Sequence, residues 1–523
     1  MNISKIGQSM WSSIKRNKTI KGLVFFVLGA IAPLIFPPFK NSEYGYVALI
    51  LFLWCLFSQN RSKKELFWSA YLFGFSFYVV GFSWINNALL VDDERFSNYI
   101  PLVVFAIGAF FGLFWAIPSV LSFWGKNIYS KMLLFCSFYV LMEWVRSFIF
   151  TGFPWNLLGT AFSFCPELIQ GSAYVGTYGL SFVLLLLCCG LALILLSFSK
   201  RCFLRGSITF ILLPLLFLWS VSCLYKPVNE MGGLKVRLVQ PNIPQTFKWQ
   251  PELVYQNFRR YVDMSKSQSL DDVDLVVWGE TASPYFLDYD VEHLLELRDA
   301  IPPKGFLVTG LLRVGMEYGK QTPYNSLFVI GADGQIKDYY DKSHLVPFGE
   351  FLPFREYLPD FMQPVANVVG DLGRGEKYKL IKVEGLPLMN GAICYESIFP
   401  KEVINPNEKP EILLVLANDG WYGLSAGPYQ HLAAAQMRAV EEGITVIRSA
   451  NTGISAVIAS NGEILETIDL DKAGVADVRL PSLLAKDTFY GKYGNTIPLG
   501  GILFLIFICL IWSRSFSLHK KTS

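Results

Sequence analysis

Apolar residues are spaced in two different ways along this chain. Over 1–225 they form long runs separated by short polar loops, from 226 to 494 they form short runs between polar stretches, and one more long run closes the chain. The long runs cover 22–38, 44–58, 66–90, 99–124, 132–150, 178–198, 207–225 and 495–513. A helix of about 20 apolar residues crosses the ~30 Å hydrocarbon layer of a bilayer. In lipid, a single segment satisfies its own backbone groups only as a helix. The pattern therefore predicts eight membrane spans, the second of them short. It divides the chain into a membrane domain of seven spans (1–225), an extramembrane domain (226–494), and an eighth span with a tail (495–523).

Inside 226–494 the short runs predict strands at 236–239, 275–277, 306–311, 326–330, 392–394, 412–417, 446–449, 456–459 and 475–478. Amphipathic stretches predict helices over 251–266, 291–300 and 428–442, with Gly443 as a stop for the last. Ala332-Asp333-Gly334 and Ser460-Asn461-Gly462 are hairpin-turn signals. Mixed strands and helices over this length make one layered α/β domain.

Composition agrees with a membrane protein: 523 residues, 52% hydrophobic and only 17% charged. A net charge of +3 with no basic stripe argues against nucleic acid as a partner. Loop charges set orientation. Lys5, Lys15, Arg16, Lys18, Lys21, Arg61, Lys63, Lys64, Lys126, Lys131, Lys200, Arg201, Arg205, Arg514, Lys520 and Lys521 all fall on one side of the predicted spans. The opposite short loops hold Lys40, and Arg95 beside Asp92, Asp93 and Glu94. The positive-inside rule puts both termini in the cytoplasm and 226–494 on the outer side. Glu143 and Arg146, three apart in the fifth span, would each cost about 2.5–3.5 kcal/mol at mid-membrane. They are expected to pair with each other or to face a polar cavity.

Eight of the nine cysteines lie in or beside apolar runs; Cys394 is the only one in 226–494, so that domain has no internal disulfide. No spacing suits zinc. Cys394 ends an apolar run and leads into Tyr395-Glu396-Ser397, as a strand entering a polar turn or helix start would, where backbone N–H groups favour a thiolate. A buried core cysteine is the blander reading. A thiol nucleophile needs a base, and Glu280, delivered past Gly279 by the 275–277 strand, is the candidate. Lys342, in Asp341-Lys342-Ser343-His344, could stabilise the oxyanion of acyl transfer. A Cys–His pairing through His293, His344 or His431 is the competing constellation. The apolar, proline-rich run 345–354 suits a segment dipping into a membrane interface. The loop 418–423 has two glycines that would let it bend or move.

Taken together, these motifs resemble a known family. Glu280, Lys342 and Cys394 follow the Glu-Lys-Cys order of the nitrilase superfamily. Seven spans before that domain and one after it resemble the apolipoprotein N-acyltransferases of the bacterial inner membrane. The matching segments are 239–245, 278–281, 341–350, 393–396 and 418–423. The resemblance implies an α-β-β-α sandwich on the periplasmic side, with Cys394 as nucleophile, Glu280 as general base and Lys342 as oxyanion stabiliser. Glu350 is implied as a further carboxylate close to the triad, Tyr395 and Glu396 as supporting residues, and Trp249 and Trp421 as tryptophans near the substrate entrance; Phe351 is a gate candidate from the apolar 345–354 run itself. It implies transfer of an acyl chain from a phospholipid, typically phosphatidylethanolamine, to the α-amine of the lipid-modified N-terminal cysteine of an apolipoprotein, with no cofactor or metal. Leu424 and the segment 361–377 depart from the family pattern. A membrane-tethered amidase using the same triad with water as acceptor is the alternative; a transporter would need more polar groups at mid-membrane than Glu143 and Arg146.

Overall fold

The computed structural model describes residues 18–39, 41–197, 204–317, 319–359, 363–365 and 370–519. Lys5, Lys15, Arg16, Lys40, Lys200, Arg201, Lys520 and Lys521, used above for orientation, lie outside these residues, as do 361, 362 and 366–369.

Helices occupy each long apolar run. They are α1 Lys18–Ile31, α2 Ser42–Phe57, α3 Lys63–Gly81, α4 Ile100–Phe111, α5 Leu113–Leu121, α6 Ile128–Val145, α7 Ser172–Ser197 and α8 Leu204–Ser222, with α11 Thr496–His519 at the far end. Among the described residues, four stretches are long and apolar enough to cross a membrane: Lys18–Ile35, Glu94–Trp124, Ile128–Val145 and Ser172–Ser197. Ser42–Phe57, Gly206–Ser222 and Thr496–Ile511 are apolar but shorter, so length and apolarity by themselves give four candidate crossings among the described residues, not the eight expected. Several of the runs, and one helix ahead of its run, are interrupted. The third breaks after Gly81 and resumes as Ile85–Leu90. In α7, Gly176 stands at φ 64°, outside helical geometry. The break frees the Thr177 N–H, which donates to Glu441 of the extramembrane domain at 2.7 Å.

Glu143 and Arg146 do not form the expected ion pair. Glu143 Oε1 accepts the Leu158 N–H at 2.8 Å, and Arg146 Nη1 donates to the carbonyls of Phe153 (3.1 Å) and Trp155 (2.6 Å). Both side chains brace the loop after α6 instead, where unpaired backbone groups would otherwise be buried.

In the extramembrane domain, β1 Lys235–Gln240, β2 Leu275–Val277, β3 Phe306–Glu317, β4 Lys320–Gly331 and β5 Ile336–Asp341 form one sheet with β12 Gly474–Arg479, in the order β12-β1-β2-β3-β4-β5. The second sheet, β11-β10-β9-β8-β7-β6, uses β6 Leu380–Ile381, β7 Met389–Ile393, β8 Ile412–Ala417, β9 Thr445–Ala450, β10 Ser455–Ile458 and β11 Ile464–Ile468. The central pairs β1–β2, β2–β3, β7–β8 and β8–β9 are parallel. Strands covered on both faces read as unbroken apolar runs, and alternation sorts their side chains. Leu275 and Val277 face inward with Leu414, Leu416 and Ile447. Val276 faces outward onto Phe258, Tyr261 and Val262 of α9 Val254–Ser265. Leu413 and Val415 face outward onto Ala435 and Ala439 of α10 Gly427–Glu442. Each fully buried Leu or Val contributes about 1.5–3 kcal/mol. A one-residue register slip would therefore expose the faces that hold the layers together. The layers run α-β-β-α.

The two parts share a boundary. Tyr395, Ile398, Phe399, Tyr422, Met437 and Val440 belong to the same apolar cluster as the membrane helices.

Candidate active site

β7 ends at Ile393 and the chain turns sharply. Cys394 stands at φ 52° and opens a five-residue 3-10 turn, Cys394–Ile398. A left-handed non-glycine residue costs on the order of 1–3 kcal/mol and persists only where its surroundings over-determine it. Here the buried Glu396 does much of that. One carboxylate oxygen accepts the Ile393 N–H at 2.7 Å. The other accepts the N–H groups of Ser343 and His344, both at 2.9 Å, and the Tyr340 hydroxyl at 2.8 Å. Glu396 thus ties the turn of Cys394 to the residues just after Lys342. The Cys394 carbonyl is held by the Ser397 hydroxyl (3.0 Å) and by His431 Nε2 (2.9 Å).

Glu280 and Lys342 arrive from the other sheet. Glu280 follows β2 through Gly279, where a Cβ would meet the Asn451 backbone nitrogen at 2.5 Å, so only glycine lets the chain pass. Lys342 follows β5, and its Nζ sits 2.9 Å from Glu350 Oε1 and 3.6 Å from Glu280 Oε1. Asn325 Nδ2 donates to both carboxylates, at 2.8 Å to Glu280 and 3.1 Å to Glu350. Glu350 Oε2 accepts the Val346 N–H at 2.8 Å. Glu280 Oε2 is buried and makes no hydrogen bond among the described residues. Burial works against the Lys342 ammonium, but Glu350 and Glu280 outweigh it and hold the group charged well above the ordinary lysine range.

Burial, then the Glu280 charge, push the Cys394 thiol above its usual range, and Lys342 only partly opposes them. The expectation of a thiolate favoured by a helix start is therefore corrected. A turn of five residues offers no macrodipole to offset that burial. The Tyr422 hydroxyl lies 4.0 Å from Sγ, and the Asn418 backbone N–H also faces the thiol and favours its charged form.

The Cys–His pairing does not form. His431 faces the Cys394 carbonyl, His344 Nε2 lies 2.8 Å from the Thr151 carbonyl, and His293 pairs with Asp290. Cys394, Asp419 and His431 have ligand-type atoms within 4.8 Å of one another. However, Arg448 Nη2 is 2.6 Å from Asp419 Oδ2 and 3.1 Å from His431 Nδ1, a fixed cation where a metal would need to sit.

The remaining expected residues lie around this centre. Tyr395 reaches into the membrane domain, its hydroxyl donating to the Gly152 carbonyl. Trp249 and Trp421 are half-buried, and the Phe351 ring lies 5.1 Å from the Arg374 guanidinium. Phe348 and Phe354 are 59% and 66% exposed, and Leu424 74%. Tyr422 is clasped by the membrane domain through Asn87, which donates to its carbonyl at 2.6 Å, and through the Trp84 ring 4.5 Å away. Asn325 and the buried Lys248 are not singled out by the sequence, and Tyr422 is singled out only as part of a motif. Tyr422 lies in the 418–423 segment, whereas Asn325 has no local signal.

Two sheets packed face to face between helices, with Cys394 at one strand end and Glu280 and Lys342 at two others, define a domain of the carbon–nitrogen hydrolase class. The carbon-nitrogen hydrolase family model matches residues 235–488, and the apolipoprotein N-acyltransferase N-terminal domain model matches residues 28–190. The chain is 34% identical over 489 residues to an apolipoprotein N-acyltransferase of Brucella melitensis, covering 90% of this chain and 91% of that one. It is 34% identical over 506 residues to one of Rickettsia prowazekii, covering 94% and 99%. The solved structure of Saccharomyces cerevisiae Nit3, a member of branch 10 of the nitrilase superfamily, aligns at a TM-score of 0.36 and 21% identity, covering 50% of this chain and 93% of that one. The chain belongs to the apolipoprotein N-acyltransferase family.

Proposed function

We propose that this protein transfers an acyl chain from a phospholipid, phosphatidylethanolamine in the first instance, to the α-amine of the diacylglyceryl-modified N-terminal cysteine of apolipoproteins, through a thioester on Cys394. The observation that carries this reading is the Lys342 ammonium held at 2.9 and 3.6 Å between Glu350 and Glu280 in the buried centre that also holds the Cys394 thiol, in a chain of this family. In the first half-reaction Glu280 takes the thiol proton as Sγ bonds to the ester carbonyl carbon. Lys342 stabilises the oxyanion that forms. The carbonyl–oxygen bond to glycerol then breaks, and the proton passes from Glu280 to the departing lysophospholipid oxygen. In the second, the α-amine attacks the thioester, Glu280 takes its proton and returns it to sulfur, and the amide leaves. Glu350 fixes the ammonium, and Glu396 fixes the turn of Cys394.

The same proposal covers placement. The chain crosses the inner membrane eight times, with 1–225 and 495–523 in and below the bilayer, 226–494 in the periplasm and both termini in the cytoplasm. Trp249, Trp421 and Phe351 line the substrate entrance at the membrane surface. Incubation with phosphatidylethanolamine and a diacylglyceryl peptide should yield N-acylated peptide with one lysophospholipid released per turnover. Free fatty acid with unmodified peptide would instead make the enzyme a hydrolase.

A further inference from the structure

Lys248 is buried, 5% exposed, and among the described residues it forms no ion pair with a carboxylate. A buried cation without a counter-charge is costly unless its hydrogen bonds are well used. Both of its described hydrogen bonds fall at one point: Nζ donates to the Glu280 carbonyl at 2.9 Å and to the Thr281 hydroxyl at 2.7 Å. The stem leaves the chain just after the 3-10 turn Gln245–Phe247, and the Trp249 ring lies 5.8 Å from the same ammonium.

The peptide it grips is strained. Thr281 stands at φ 44°, a region that a β-branched residue rarely adopts. Nor can the chain relax sideways. The Glu280 N–H is bound to the Ala417 carbonyl at 3.2 Å, and a Cβ on Gly310 would meet the Thr281 nitrogen at 2.5 Å. If the turn opened, the Glu280 carboxylate would swing away from Asn325 and Lys342. We propose that Lys248 is a positioning residue: it holds the Glu280–Thr281 peptide in its left-handed turn, which aims the Glu280 carboxylate, and it links that turn to Trp249. The inference rests on Glu280 being the base. Burial lowers the Lys248 pKa to about 8 against the opposing pull of Glu280 and Cys394, so the ammonium lies within electrostatic reach of both.

The test follows thioester formation on Cys394 with phosphatidylethanolamine, in the full-length purified protein. Lys248→Met keeps the stem and removes the ammonium. It should slow thioester formation at least about tenfold, in keeping with the 10²-fold loss that a 1 Å misplacement can cause. Glycine takes φ 44° without steric cost, so Thr281→Gly in the Lys248→Met background should restore about fivefold or more of the lost rate. A role in bulk stability or in charge alone would not be rescued this way. A parental rate in Lys248→Met overturns the proposal, and so does a slow double variant no faster than Lys248→Met. If Lys248→Met does not fold, Thr281→Val decides. It removes the hydroxyl while keeping the shape, and should slow the same step at least about threefold; a parental rate there overturns the proposal too. Glu280→Gln is measured alongside. Thioester formed at the parental rate in that variant would remove the base assignment itself, separately from Lys248.

Discussion

A thiol enclosed by apolar side chains keeps its proton until a base takes it, and the proposed mechanism assigns that transfer to Glu280. Glu280 Oε2 is the unpaired buried acceptor, and Oε1 is held by Asn325. Glu280→Gln should stop thioester formation. Lys342→Arg keeps the charge but not the reach between Glu280 and Glu350, and should lose about 10²–10³ in rate, the usual loss for one oxyanion donor. A loss under about threefold in either would contradict the assigned role. The lowered Lys248 pKa gives a separate stability prediction. An unfolded lysine titrates near 10.5 and this one near 8, so between those values the unfolded state binds more protons and stability rises with pH. That difference is on the order of 3 kcal/mol. Denaturation of the parent at pH 8 and pH 10.5, compared with Lys248→Met, should show this increment lost in the variant; equal pH slopes would contradict it. Cys394 and Glu280 could be found in the sequence because each follows an apolar run, and Lys342 through the Asp341-Lys342-Ser343-His344 segment that carries the family resemblance. Asn325 could not, because it lies within a strand and its partner Glu280 is 45 positions away. The raised thiol pKa was equally hidden, since it depends on an enclosure that forms only when both sheets meet.

At the scale of elements, the turn of Cys394 is set from both sides of the membrane boundary. The loop after α6 holds Phe150, Thr151 and Gly152 at φ 52°, 78° and 90°. Its carbonyls receive the Tyr395 hydroxyl and face His344, while Arg146 braces it from below. Gly152→Ala should damage this loop, because the new Cβ would lie 2.0 Å from the Ser147 carbonyl oxygen at a φ that disfavours alanine. Its acylation rate should fall about tenfold or more while the chain still inserts in the membrane. Unchanged activity would show that the loop does not position Tyr395. Strands 275–277 and 412–417 were legible to the residue because burial on both faces leaves unbroken apolar runs. The strands β5 and β11 were missed because their edges mix exposed and buried positions, and β6 because it spans two residues. Their hairpin turns were visible, and Gly334 and Gly462 do take positive φ, 76° and 82°. The break at Gly176, just ahead of the 178–198 run, gave no signal; it has its reason in Glu441, far along the chain.

At the scale of the molecule, a thioester has to persist between two bulky lipid substrates while water is kept out. Exposed Phe348 and Phe354 flank Phe351 in the 345–354 segment, and the Trp421 loop is fastened to Asn87 and Trp84 of the membrane domain. Trp421→Ala should therefore still form the thioester but transfer it slowly to the lipoprotein, and Phe351→Asp should weaken lipid access. Parental rates in both half-reactions for both variants would make these loops ordinary surface turns. A reporter fused after residue 230 should read as periplasmic and one at the C-terminus as cytoplasmic; cytoplasmic labelling of Cys394 in intact cells would contradict the orientation. The most direct test of the whole account is the intact mass of the protein after incubation with phosphatidylethanolamine and no acceptor. The account predicts one added acyl mass on Cys394, released by hydroxylamine, passed on when a diacylglyceryl peptide is supplied, and missing in Cys394→Ala. Full N-acylation by Cys394→Ala would contradict it.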